Sequence, residues 1–127
     1  MATPSRLAII RRLRQWPPLT RAYDAWVADY WLVETARGPG WVPGRSRREQ
    51  SGWDAHAAFM DRLVEDGLVV LGGPVGDLDG DEALLVLDAP DEDEVRRRLA
   101  DDPWVNGVLS IRSVRPWTIW LRGENRL

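Results

Sequence analysis

Cysteine and lysine are both absent from the 127-residue sequence. Without cysteine the chain has no disulfide, no thiolate nucleophile and no Cys-based metal or iron–sulfur site. Without lysine it can form no Schiff base or pyridoxal phosphate linkage and has no P-loop lysine; all seventeen cations are arginine. Histidine occurs once, as His56, which rules out a His-rich metal site and leaves only carboxylates to complete one around it. No cofactor is expected. Long apolar runs are lacking too: the longest near the start, Leu7 to Ile10, has four residues, against about 18–20 for a membrane span. Neither a signal peptide nor a membrane partner is expected, and the expected location is cytoplasmic. An excess of positive charge is also missing, with 17 basic against 20 acidic residues and a net charge of -3, so no nucleic acid partner is expected.

What is present fits one globular domain of about 100 to 150 residues. Charge is unevenly spread: residues 1–50 carry nine Arg against four acids, and the remainder eight against sixteen. Within the basic part, Leu7, Ile10 and Leu13 fall at helical spacing beside Arg6, Arg11, Arg12 and Arg14, ahead of Trp16 and the helix-stopping Pro17 and Pro18. A second helical stretch from Thr20 to Ala28 presents Tyr23, Val27 and Tyr30 on one face. Residues 1–29 read as a basic helical extension, either docked on the domain through its apolar stripe or serving as a surface or partner-binding arm.

From residue 30 onward the pattern predicts a strand over Tyr30–Thr35, then a Gly/Pro-rich loop, Gly38 to Gly44, around Trp41. Ser51 and Asp54 form a capping-box-like start and Gly67 a stop for a helix over Gly52–Asp66, with Trp53, His56, Met60 and Leu63 on one face. Short apolar runs at Leu68–Leu71 and Ala83–Leu87 read as strands, the latter a central one, joined through a turn at Asp77–Asp81. Pro90 opens a helix whose first turn holds Asp91 to Glu94 and whose next holds Arg96 to Arg98, setting Glu92/Arg96, Asp93/Arg97 and Glu94/Arg98 at i,i+4. Two closing strands are expected near Val108–Val114 and Trp117–Leu121. This order gives an α+β fold of ferredoxin-like type, an antiparallel sheet with its helices on one face. Eight tryptophans are more than a core this small readily absorbs, so a second copy of the chain covering the open sheet face, a homodimer, is the expectation.

The residues Arg48-Glu49-Gln50, His56 early in the first core helix, Gly73-Pro74 after the second strand, Asp102-Pro103-Trp104 after the second helix and Pro116-Trp117 together resemble the YciI-like, or YCII-related, family. The resemblance covers roughly residues 30–121, within a domain taken as 30–127, and leaves residues 1–29 outside. It implies a dimeric α+β barrel, in which two ferredoxin-like sheets pack face to face. It also implies a His-Asp active-site pair at His56 and Asp102, acting on a small molecule.

From the residues alone, an imidazole on a helix face that otherwise points inward, with a carboxylate to fix its tautomer, suits a general acid or base. The same two residues also suit a helix-ending Asp and a hydrogen-bonded interior His. Arg48 reads as a bidentate clamp for an anionic substrate or as a solvated loop cation. Gly73 and Pro74 read as a pocket lining or as a strand-ending turn, and Trp104 as a pocket wall or an interface anchor. The expectation drawn from these is a cofactor-independent enzyme of lyase, isomerase or hydrolase type, with His56 and Asp102 within hydrogen-bonding reach beside Gly73, Pro74 and Trp104. The rival is a non-catalytic ligand-binding or interaction domain using the same dimer cleft.

Overall fold

A computed structural model of the chain describes residues 29–123. The elements below all belong to one compact unit, Ala28–Leu121. The two helical stretches expected within residues 1–28 lie outside the described residues.

The apolar runs rich in Val and Leu become strands, and the segments with 3.6-residue periodicity become helices. Strand β1 is Tyr30–Arg37, helix α1 Trp53–Glu65, strand β2 Val69–Pro74, strand β3 Ala83–Leu87, helix α2 Glu92–Leu99 and strand β4 Leu109–Trp117. The sheet order is β2-β3-β1-β4, and every neighbouring pair is antiparallel. With both helices packed on one face, this is the ferredoxin-like α+β arrangement. Strand β3 lies between β2 and β1, as its continuous apolar run requires. Both prolines in strands, Pro74 and Pro116, fall on the edge strands β2 and β4, where a missing N–H costs little.

The main core forms where Val33 and Leu87 of the sheet meet Phe59 and Leu63 of α1 and Val95 and Leu99 of α2. Asp91 caps α2 by accepting the Glu94 N–H at 2.8 Å, which places acids at the positive end of the helix dipole. The Glu92–Arg96 pair forms at 2.8 Å and Glu94–Arg98 at 4.0 Å. Arg97 turns to Glu94 rather than Asp93, and Arg98 also reaches Asp66 at the end of α1, at 2.7 Å.

Three local expectations need correction. Gly73 and Pro74, expected to follow the strand over Leu68–Leu71, are the last residues of β2 itself, whose ladder with β3 continues to Pro74 opposite Ala83. The cap of α1 is Gly52, in the left-handed region at φ 80°, and no side chain caps it; Ser51 instead offers its carbonyl to the Trp104 indole N–H at 2.7 Å. No second closing strand follows β4 among the described residues. Trp117 pairs with Tyr30, the first residue of β1, so the ladder has no partner left beyond it. The next amide available, that of Ile119, donates to the Asp29 carboxylate at 2.7 Å.

The Gly38–Gly44 segment is the extended loop its composition predicts. Gly38 N–H donates to Val108 O and Gly40 N–H to Gly107 O, both at 2.8 Å, binding this loop to the turn before β4. The approach is so close that a Cβ on Gly38 would lie 2.2 Å from Gly107 O, which only glycine permits. Trp41, Trp104 and Leu109 form a second, smaller core there.

Candidate functional site

His56 sits in the first turn of α1, where its N–H donates to the Gly52 carbonyl at 3.0 Å. Its ring is buried, and its Nδ1 lies 2.9 Å from both carboxylate oxygens of Asp102. Asp102 follows α2 in a tight turn: its own N–H donates to Leu99 O at 3.0 Å, and its Oδ1 accepts the Trp104 N–H at 2.9 Å. The backbone therefore aims the carboxylate before the imidazole arrives. An ionised carboxylate only accepts, so the ring proton belongs on Nδ1 and Nε2 is the basic nitrogen. Among the described residues no hydrogen bond engages Nε2.

The Trp104 indole fixes the ring from the side. The two rings stack with centroids 4.1 Å apart and planes within 9°, and Trp53 packs obliquely on both at 5.9 and 5.7 Å. Trp104 is itself held through its indole N–H, bonded to Ser51 O. The imidazole can thus neither slide nor rotate without disturbing a packed aromatic group, which is the preorganisation that proton transfer demands.

His56 and Asp102 line a cleft of about 510 Å³ between the sheet and α1. Its walls are largely apolar, with Met60, Val69, Leu85 and Ile111 among them. Gly73 and Pro74 line it as well, and the space where a Gly73 side chain would point is open. Thr35 and Asp61 add polar groups. Among the described residues no three His, Asp or Glu side chains cluster so as to hold a metal ion.

The structure brings His56, Asp102, Gly73 and Pro74 to this cleft. Trp104, read from the sequence as a pocket wall or an interface anchor, is 1 % exposed and stands behind the His56 ring rather than in the cleft lining. Arg48 is exposed and stands outside it. The cation that faces the cleft is its neighbour Arg47, which is only 8 % exposed. A short 3-10 turn, Arg47–Glu49, sets this orientation; the Glu49 carboxylate closes it by accepting the Ser46 N–H at 3.2 Å. Gln50 braces the loop: its Oε1 accepts Val42 N–H at 2.9 Å while its Nε2 donates to Val42 O at 2.9 Å and Arg45 O at 3.1 Å. Burial lowers the Arg47 guanidinium from its usual value, opposed by the charges of Asp102 and Asp81. Ser46 and Glu49, three apart, were the available signal for a fixed turn here; nothing in the composition of the loop says which of its arginines turns inward.

With the geometry in place, the comparisons with known proteins decide the family. A model of the YCII-related domain matches residues 33–118. The chain belongs to the YCII-related domain family. No curated protein and no solved structure matches it. The YCII-related region takes in β1 from Val33 onward and all of both helices and the other three strands. No helix among the described residues is long and apolar enough to cross a membrane.

Proposed function

We propose that this YCII-related chain is a cofactor-independent enzyme in which His56, oriented by Asp102, moves a proton on a small molecule bound in the cleft. The observation that carries the reading is the buried Nδ1 contact to both Asp102 oxygens at 2.9 Å, with Nε2 making no hydrogen bond among the described residues and the ring at the cleft wall. In the forward step Nε2 accepts a proton from a substrate C–H made acidic by an adjacent carbonyl. The new positive charge on the ring lies against the Asp102 carboxylate, which stabilises it. The imidazolium then returns the proton to another carbon, an isomerisation, or the carbanion expels a leaving group, an elimination. A hydrolysis would use the same nitrogen to deprotonate water. Apolar walls suit the first two, because excluding water protects a carbanion from quenching.

The test is deuterium exchange from D2O into a panel of small carbonyl compounds, followed by proton NMR. The wild-type protein should catalyse exchange at a C–H beside a carbonyl. His56→Gln should lower that rate by about 10²–10⁴-fold and Asp102→Asn by a large part of it, with the fold retained. Exchange that survives His56→Gln contradicts the reading, whereas ligand binding without exchange would favour a binding module. A homodimer is part of the proposal. Its support is the exposed apolar group at the end of β4, where Trp117 is 42 % exposed, Trp120 74 % and Leu121 86 %, a patch that favours a partner surface. Light scattering should give twice the mass of one chain; a single-chain mass at micromolar concentration would remove the dimer from it.

A further inference from the structure

Arg47 presents a problem that the proton-transfer reading leaves unsolved. A guanidinium carries five N–H donors, yet among the described residues the Arg47 side chain makes one hydrogen bond, from Nη1 to Gly80 O at a long 3.3 Å. It also lies over the Trp104 ring, its guanidinium carbon 5.7 Å from the centroid, and it feels the charges of Asp102 and Asp81 without bonding to either. No carboxylate among the described residues forms an ion pair with it. A buried charge with most of its donors unmet is costly unless something else meets them. An arginine with a purely structural role would spend its fork on a carboxylate or on several carbonyls. This one instead lines the cleft, packed on the same indole as His56.

We infer that Arg47 anchors a carboxylate of the ligand, so that the cleft takes small monocarboxylates with an apolar body. The guanidinium fork matches a carboxylate in two parallel hydrogen bonds. A doubly charged phosphate is disfavoured because, among the described residues, Arg47 is the one arginine lining the cleft, where Asp61 and Asp102 supply two negative charges. The body of the ligand lies against Met60, Leu85 and Ile111, with Gly73 leaving room for it at the rim. The shared indole keeps the anchored carboxylate on the side of the cleft where His56 acts. The inference takes its reacting end from the acid–base reading and stands or falls separately from it.

The probes are benzoate, benzamide and phenyl phosphate, each titrated into the full chain while the ring protons of His56 are followed by NMR. The protein has a single histidine, so its imidazole signals need no assignment among rivals. Benzoate should shift them at a concentration about tenfold or more below that needed with benzamide, and below that needed with phenyl phosphate. Arg47→Met and Arg47→Gln should each weaken benzoate by about tenfold or more and leave benzamide unchanged, while Arg48→Met changes neither. Equal or tighter binding of benzamide or phenyl phosphate by the wild type overturns the inference, and needs no variant to fold. So does benzoate binding that survives either Arg47 substitution. If benzoate binds through Arg47 and no C–H exchange is found, the anchor stands and the acid–base reading fails.

Discussion

The larger hydrophobic cluster, with Val33, Phe59, Leu63, Leu87, Val95 and Leu99, is almost wholly aliphatic and comes from strands and helices. The smaller one, Trp41, Trp104 and Leu109 with Trp53 against it, is mainly aromatic and comes largely from loops. Among the described residues the second packs buried ionisable groups, because His56 stacks on Trp104 and Arg47 lies over the same ring, whereas the arginine over a ring of the first, Arg62 on Phe59, is exposed. The difference is one of task. Aliphatic side chains at regular spacing fill volume and fix the sheet against its helices. Indoles add flat faces and an N–H that can be tied down, so they can clamp an imidazole and a guanidinium while excluding water.

If the larger cluster carries stability and the smaller one carries the site, substitutions in the two should separate those properties. Leu87, fully buried in β3, should cost about 2–5 kcal/mol on truncation to Ala, read by denaturant unfolding, with the His56 signals of the remaining folded protein little changed. Gly38→Ala should cost about 1–3 kcal/mol, because the new methyl meets Gly107 O and forces two loops apart. Unlike Leu87→Ala, it should also move the His56 ring signals through the displaced Trp41–Trp104 packing. Trp104→Phe keeps an aromatic face but loses the indole bond to Ser51; about 1–2 kcal/mol and a visible change at His56 are expected. Leu87→Ala disturbing His56 as much as Trp104→Phe does would erase the division between the clusters.

The smallest effect belongs to the edge of the fold. Burial alone would raise the Asp81 carboxyl, but hydrogen bonds and charge from Arg37 outweigh it and hold the group below its usual value. A carboxyl held low in the folded state contributes stability above its unfolded value and loses it as the pH falls through the folded one. Asp81→Asn should therefore cost less than about 1 kcal/mol near neutral pH, since Arg37 is largely exposed. The gap between variant and wild type should close in acid, below about pH 4, and a gap that widens there would contradict the assignment.

The same two regions differ in how far they can be read in advance. Strand β3 has the bounds its apolar run predicts, and α1 lies within one residue of the predicted helix at each end, because periodicity and a terminal Gly67 define them. The end of β4 was not legible: Trp117 to Leu121 has strand-like composition, but a strand needs a partner, and β1 begins at Tyr30. At the site, the pairing of His56 with Asp102 could be expected only from the family resemblance, since the residues alone suit a helix-ending Asp and an interior His equally well. Arg47 is not legible, since choosing it over Arg48 depends on how one 3-10 turn meets the rest of the fold. The packing of Gly38 on Gly107 is equally hidden, being a contact between loops that no local pattern encodes.

The orientation of the His56 ring is the claim on which the proposed chemistry rests, and nitrogen NMR of that single imidazole tests it directly. With Asp102 accepting at Nδ1, the neutral ring should show its proton on Nδ1 and a bare, basic Nε2, and Asp102→Asn should disturb that preference. A neutral ring carrying its proton on Nε2 in the wild-type protein would contradict the account, because the nitrogen facing the cleft would then have no lone pair with which to accept a proton.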